Sequence, residues 1–174
     1  MTWAGGATNV GVMLTWSEFR RTHRDLAAAG QGLLYRVGVG LAFLSTVRPD
    51  GGPRLHPFCP LITDDAFVGF IIPSPKQRDL RRDGRFALHS FPTEDNEDAF
   101  YLSGRVRLLE DGSARERIGS QFVSERVHIG VPDPEPDDDL FAFDIESCLL
   151  TRTDGFGDYR PRHEVWTARA DDPS

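Results

Sequence analysis

The run Pro73-Ser74-Pro75-Lys76-Gln77-Arg78-Asp79-Leu80 holds the residue types that most directly suggest chemistry, and that chemistry is anion binding. Ser74 suits a helix N-cap. Pro75 suits the first helical position, where a missing N–H costs nothing, and Gln77 the position that closes a capping box. A helix is therefore expected to begin here and to end near Gly84. Its first turn would present unpaired N–H groups and a partial positive charge, which favours phosphate. Lys76 in that turn works against the helix dipole by roughly a few tenths of a kcal/mol, a conflict that a bound anion removes. The alternative is a solvated helix face. Lys76, Arg78, Arg81, Arg82 and Arg85 crowd into this segment of a chain with 20 Lys and Arg against 27 Asp and Glu, a net charge of -7. One compact basic segment on an acidic chain suits a small anionic ligand and argues against a nucleic-acid partner.

Other constellations carry less. His56 and Cys59 form H-x-x-C, but residues three apart on a strand point to opposite faces, and no second pair follows at zinc spacing. No metal is expected. G-x-S-x-G is absent, and Gly38-x-Gly40 leads into neither a helix nor a third glycine. Cys148, inside an apolar run, reads as a core thiol. His23 lies on the apolar stripe of a helix and reads as a packed histidine.

The elements around these residues are mainly β. Residues 1–14 show no usable period and are expected to be flexible. Thr15 and Glu18 form a capping box for an amphipathic helix over 15–30, with Trp16, Phe19, His23 and Leu26 on its stripe and Gly30 as its stop. Val37–Thr46 alternates as a buried strand, and Arg48-Pro49-Asp50-Gly51-Gly52 is a turn by its chemistry. Arg54–Ile62 and Ala66–Ile72 read as two further strands, the three together forming an antiparallel meander. Pro57 and Pro60 place the second at an edge or bulge. Arg85–Phe91 and Ala99–Leu109 follow, with Gly104 marking a bulge or close approach. Ser113–Phe122 is expected to be helical and the acidic Val131–Asp139 run an extended connection. Leu140–Leu150 and Arg162–Ala168 close the fold. The acidic residues gather at Glu94–Asp98, Asp133–Asp139 and Asp171–Asp172.

At 174 residues this is one domain, 15–170, large enough to hold a core without staples, and two distant cysteines make no disulfide framework. The longest apolar stretch, Val37–Leu44, is far short of the ~20 residues a bilayer needs. No Lys or Arg precedes Arg20, so the start lacks a secretory n-region. The expectation is a cytoplasmic protein with no membrane partner.

The run AFLSTVRPDGGPRLHPFCPL, then a strand, then SPKQRDLRRDGRFALHSF and FYLSGRVRLLED resembles the pyridoxamine 5'-phosphate oxidase-like family of FMN-binding split β-barrels. The likeness is close over Gly40–Asp111 and general over Leu140–Ala168. It implies an antiparallel, Greek-key-like split barrel with a few peripheral helices, a core meander and phosphate loop over 37–110, and closing strands over 140–168. It implies a flavin-dependent oxidoreductase acting on a small molecule, with cofactor held by Arg54, Leu55, His56, Ser74, Lys76 and Arg78. His56 would bond the flavin edge or a substrate, or serve the fold. Pro75 stands where true oxidases usually carry an arginine, a place Arg78 would fill. Cys59 stands where they have a lysine and Asp98 where they have a glutamine; Arg160, Arg162 and His163 are the rough counterparts of their pyridoxal phosphate ligands. Those departures point away from vitamin B6 oxidation. Coenzyme F-420, whose longer anionic tail would use Arg81 and Arg82, is the alternative cofactor. A flavin or haem binder without turnover is the rival reading. The resemblance also implies a homodimer with cofactor at the interface, and Leu55, Phe58 and Leu61 look in need of cover.

Overall fold

The computed structural model describes residues 12–92 and 95–168. Residues 1–11, Glu94 and the tail acids Asp171 and Asp172 lie outside the described residues. Leu14, assigned above to the leading segment, exchanges backbone hydrogen bonds with Ile145 (2.9 and 2.7 Å) and is buried.

The capping box forms: the Thr15 hydroxyl accepts from the Glu18 N–H, and Glu18 accepts from the Thr15 N–H at 2.7 Å. Helix α1 (Trp16–Thr22) breaks at His23, and α2 (Arg24–Leu34) continues past Gly30. Gly30 is a notch, not a stop. A Cβ there would stand 2.4 Å from the Phe100 ring, so the glycine lets the helix press onto the sheet. His23 packs its ring on Trp166 and Phe19, as a packed histidine should.

The strands are β1 (Ala42–Val47), β2 (Pro53–Phe58), β3 (Leu61–Ile62), β4 (Phe67–Ile71), β5 (Arg85–Ser90), β6 (Ala99–Leu108), β7 (Asp139–Arg152) and β8 (Arg162–Thr167). The helices α3 (Pro75–Arg82) and α4 (Gly112–Arg126) lie between them. All pairings are antiparallel, in the order β2-β1-β5-β6-β7-β4-β3, with β8 also on β7. The sheet curls into a half-barrel, as expected of a split barrel.

Two details differ from expectation. The first strand begins only at Ala42, because Gly38 takes φ +81° and Gly40 lies so close to Pro60 that a Cβ would meet its carbonyl at 2.1 Å. The second is the supposed meander. β2 ends one flank of the sheet and β3 the other, with only Cys59 and Pro60 between them. Apolar residues on both sides of that corner hid the change of flank. β2 is an edge strand, where the missing N–H groups of Pro53 and Pro57 leave no ladder bond unmade.

The main core joins Trp16, Phe19, Leu44, Phe67, Phe100, Phe143 and their neighbours inside the curl. A smaller one, with Leu61, Val68, Ile118, Phe122 and Leu140, seats α4 on β3, β4 and β7. At Gly104 the β6–β7 register shifts, and a Cβ would stand 2.0 Å from the Asp144 carbonyl. The bulge is real.

Candidate anion site

Helix α3 lies against β1 and brings its first turn to the inward face of β2. Ser74 caps it, accepting from the Gln77 N–H at 3.2 Å, and Pro75 takes the first position. Gln77 does not complete a capping box. Its side chain instead donates to the carbonyls of Ile71 (3.4 Å) and Asp137 (3.0 Å), tying the helix to the acidic 131–138 connection. Arg81 strengthens that tie through a two-pronged pair with Asp139 at 2.5 Å, so Arg81 is committed to the fold.

Along β2, Arg54, His56 and Phe58 face α3 while Leu55 and Pro57 face outward. Lys76 reaches over the Phe58 ring, 5.8 Å from its centroid. The ammonium has neither ion pair nor hydrogen bond among the described residues. Burial lowers its pKa, opposed only by the nearby Cys59 thiol. The charge is thus part-desolvated and without an ionic partner among the described residues.

Asp79 organises the rest. It is 2% exposed, and its carboxylate accepts from Arg54 Nε (2.7 Å), the Thr46 hydroxyl (3.0 Å) and Arg82 (3.2 Å). Burial alone would raise its pKa, but the hydrogen bonds from Arg54, Thr46 and Arg82 outweigh it and keep Asp79 ionised. Only Nε of Arg54 is used. Its two terminal amino groups find no partner among the described residues, so a fixed, half-buried guanidinium presents four N–H donors on the face of β2 that carries His56 and Phe58. Sequence reasoning missed Asp79, although its position three residues after Lys76 places both on one helix face.

His56 stands between these groups. Burial first, then the charges of Lys76 and Arg54, lower its pKa against the pull of Asp79, and its Nε2 is buried without a partner among the described residues.

The remaining predicted residues divide. Ser74 is present as the cap. Leu55 points away, 64% exposed on the outer face of β2, because alternate strand residues face opposite sides. Arg78 lies two positions, ~200° of helix, beyond Lys76 and faces solvent. It is not brought to the site, so it does not fill the place left by Pro75. Asp98 accepts from the Thr153 N–H at 2.7 Å and lies 3.5 Å from Arg152, which fastens the turn after β7. Arg160, Arg162 and His163 lie on or beside β8, with four strands between it and β2, where Arg162 pairs with Asp154 and His163 with Thr151. Burial pushes the Cys148 thiol up to about 12, which rules out a thiolate nucleophile there.

A cleft of about 910 Å³ between α4 and the 131–138 connection, and another of about 520 Å³ beside Leu33 and Phe91, contain none of the site residues. The candidate site lies on the inward face of β2, with Arg54 and His56 along it and the Lys76 ammonium over the buried Phe58 ring.

The comparisons agree with this architecture. No family model and no curated protein matches the chain. Among solved structures, a protein related to general stress protein 26 from Clostridium acetobutylicum, described as of the pyridoxinephosphate oxidase family, aligns with TM-score 0.55 at 14% identity. It covers 87% of this chain and 95% of that one. The chain has the fold of the pyridoxamine 5'-phosphate oxidase-like split barrels. A heme binding protein from Mycobacterium smegmatis aligns with TM-score 0.60 at 16% identity over 80% of this chain. This chain spans 57% of that protein's length. An F-420 reductase aligns with TM-score 0.52 at 16% identity, covering 67% and 94% of the two chains. At such identities the likeness establishes the split-barrel fold. No helix among the described residues is long and apolar enough to cross a membrane.

Proposed function

We propose that the chain binds a phosphate-bearing flavin, FMN first, and serves as a flavin-dependent oxidoreductase of the split-barrel type. The observation that carries this reading is Lys76: a part-buried ammonium with no ion pair among the described residues, following a serine-capped helix start, on the side of β2 that also carries an arginine whose outer donors have no partner among the described residues. Lys76 and Arg54 would hold the phosphate, with Ser74 shaping the turn. The orphaned His56 Nε2 is a second sign that a polar group belongs here. FMN would supply the hydride and electron transfer, while the protein binds, orients and excludes water.

The resemblance to an F-420 reductase and a heme binding protein makes a deazaflavin or haem the competing ligand. Arg81 and Arg82, the groups a longer F-420 tail would use, are already engaged with Asp139 and Asp79, which favours FMN. The visible spectrum of the purified protein decides among the three. Added NADH or NADPH then separates turnover from binding, because an enzyme bleaches the flavin band and a storage protein leaves it.

The reading includes a homodimer. Phe58 and Leu61 are buried within their own chain, so they are not the patch in need of cover. Leu55 remains, beside a cross-strand row of Pro57, Phe43, His89, Tyr101, Leu149 and Val165, none of them buried. A two-fold partner that covers this row and wraps the free edge of β2 would bring a second chain beside the site on the inward face.

A further inference from the structure

His56 lies where charges from two elements meet. It follows Arg54 by two residues on the same face of β2, and Lys76 and Asp79 act on it from α3. β1, paired on its other side, sets Leu44 opposite and carries no ionisable residue. The carboxylate of Asp79 is already shared among Arg54, Arg82 and Thr46. Two cations therefore bear on an imidazole whose Nε2 is closed off from solvent and unpartnered among the described residues. Before a ligand arrives, the neutral form is the stable one.

Resting on the flavin reading above, we propose that His56 is a proton-gated ligand of the anion, taking up a proton from solvent as the phosphate docks beside Lys76 and Arg54. An arriving dianion cancels the repulsion from both cations and offers an acceptor to the imidazolium. The only bond made in the protein is the new N–H. A nearby opposite charge moves a pKa by about one unit or more, and each unit between the free and bound states is worth about tenfold in affinity. Binding is therefore coupled to acid: affinity rises as pH falls through the window between the two imidazole values and is flat outside it. Arg54 does not confer this, since a guanidinium stays charged throughout that range.

The test is calorimetry of FMN binding near pH ~6.5, in two buffers of different ionisation heat, on wild type and His56→Gln. The phosphate of FMN itself titrates near pH ~6, so the variant supplies the reference that subtracts it. Wild type should take up protons that the variant does not, and its affinity advantage should grow about tenfold between pH ~8 and ~6. The His56 ring resonance followed by NMR in wild type, with and without FMN, needs no variant and should titrate higher in the complex. Tight FMN binding with equal proton uptake in both proteins, and a ring titration that FMN leaves unmoved, overturns the gate and spares the flavin reading. FMN that binds at neither pH overturns the flavin reading, and the gate with it.

Discussion

Lys76→Met keeps the length of the side chain and its contact with Phe58 and removes only the charge. Three effects then act on the fold. The cation–π contact at 5.8 Å is lost, at a cost of about 0.5 kcal/mol. The conflict with the α3 dipole disappears, a gain of about a few tenths of a kcal/mol. The burial of an unpaired ammonium, seen in its lowered pKa, is also relieved. The last two offset the first, so stability should stay within about 0.5 kcal/mol of wild type or rise. Binding has no such compensation. It loses a charge-assisted hydrogen bond of about 1.5–3 kcal/mol, so FMN affinity should fall about ten- to a hundredfold. Quenching of flavin fluorescence measures the affinity, and urea unfolding without ligand measures the stability. Unchanged affinity would remove Lys76 from the site. A joint fall in both would show the lysine to be scaffold and the argument from its missing counter-charge to be wrong.

Gly104→Ala should destabilise by about 3 kcal/mol, because its methyl group would collide with the Asp144 backbone carbonyl; a wild-type denaturation midpoint would contradict this. The hydrogen bonds from Arg85 hold Asp83 down to about 2, below the ordinary 3.8. In that interval the unfolded chain binds a proton the folded chain refuses, so this contribution is complete above the ordinary value and is lost as pH falls to about 2. Acid unfolding of Asp83→Asn should show a shallower slope there, and an unaltered curve would dismiss the pair. Light scattering on a sizing column should report a dimer, with an interface above ~2,000 Å² if it is obligate; a monomer with cofactor still bound refutes the shared pocket. Pyridoxamine 5'-phosphate should not be oxidised, given Cys59, the commitment of Asp98 to Thr153 and the distance of β8 from β2; brisk peroxide release would show these departures to be harmless.

What could be read from the sequence was what neighbours in the chain decide among themselves. Thr15 with Glu18, Ser74 with Pro75, Gly104 and the edge prolines each act within a few residues, and each was legible. Gly30 was misread because a glycine that ends a helix and one that admits Phe100 look alike until the partner is known. The flank change at Cys59–Pro60 was hidden for a similar reason, since strand pairing is set by segments far away. In the site, Lys76 stood out by its conflict with the helix dipole. Asp79 did not, because a lone carboxylate among arginines reads as an ordinary surface salt bridge until Thr46 and Arg54 are seen to enclose it.

The corner at Pro60 has a consequence for how the protein can drift. Its carbonyl accepts from the buried Arg126 of α4 at 2.7 Å, and the bare backbone of Gly40 lies against the same oxygen. One atom thus fixes where the chain leaves β2, which carries Arg54 and His56, and enters β3, which belongs to the smaller core. A change on α4 that moves this atom tilts the end of β2 without touching a ligand. If the proposed site holds its ligand there, selection on affinity would act through Arg126, a buried residue of α4 outside that site.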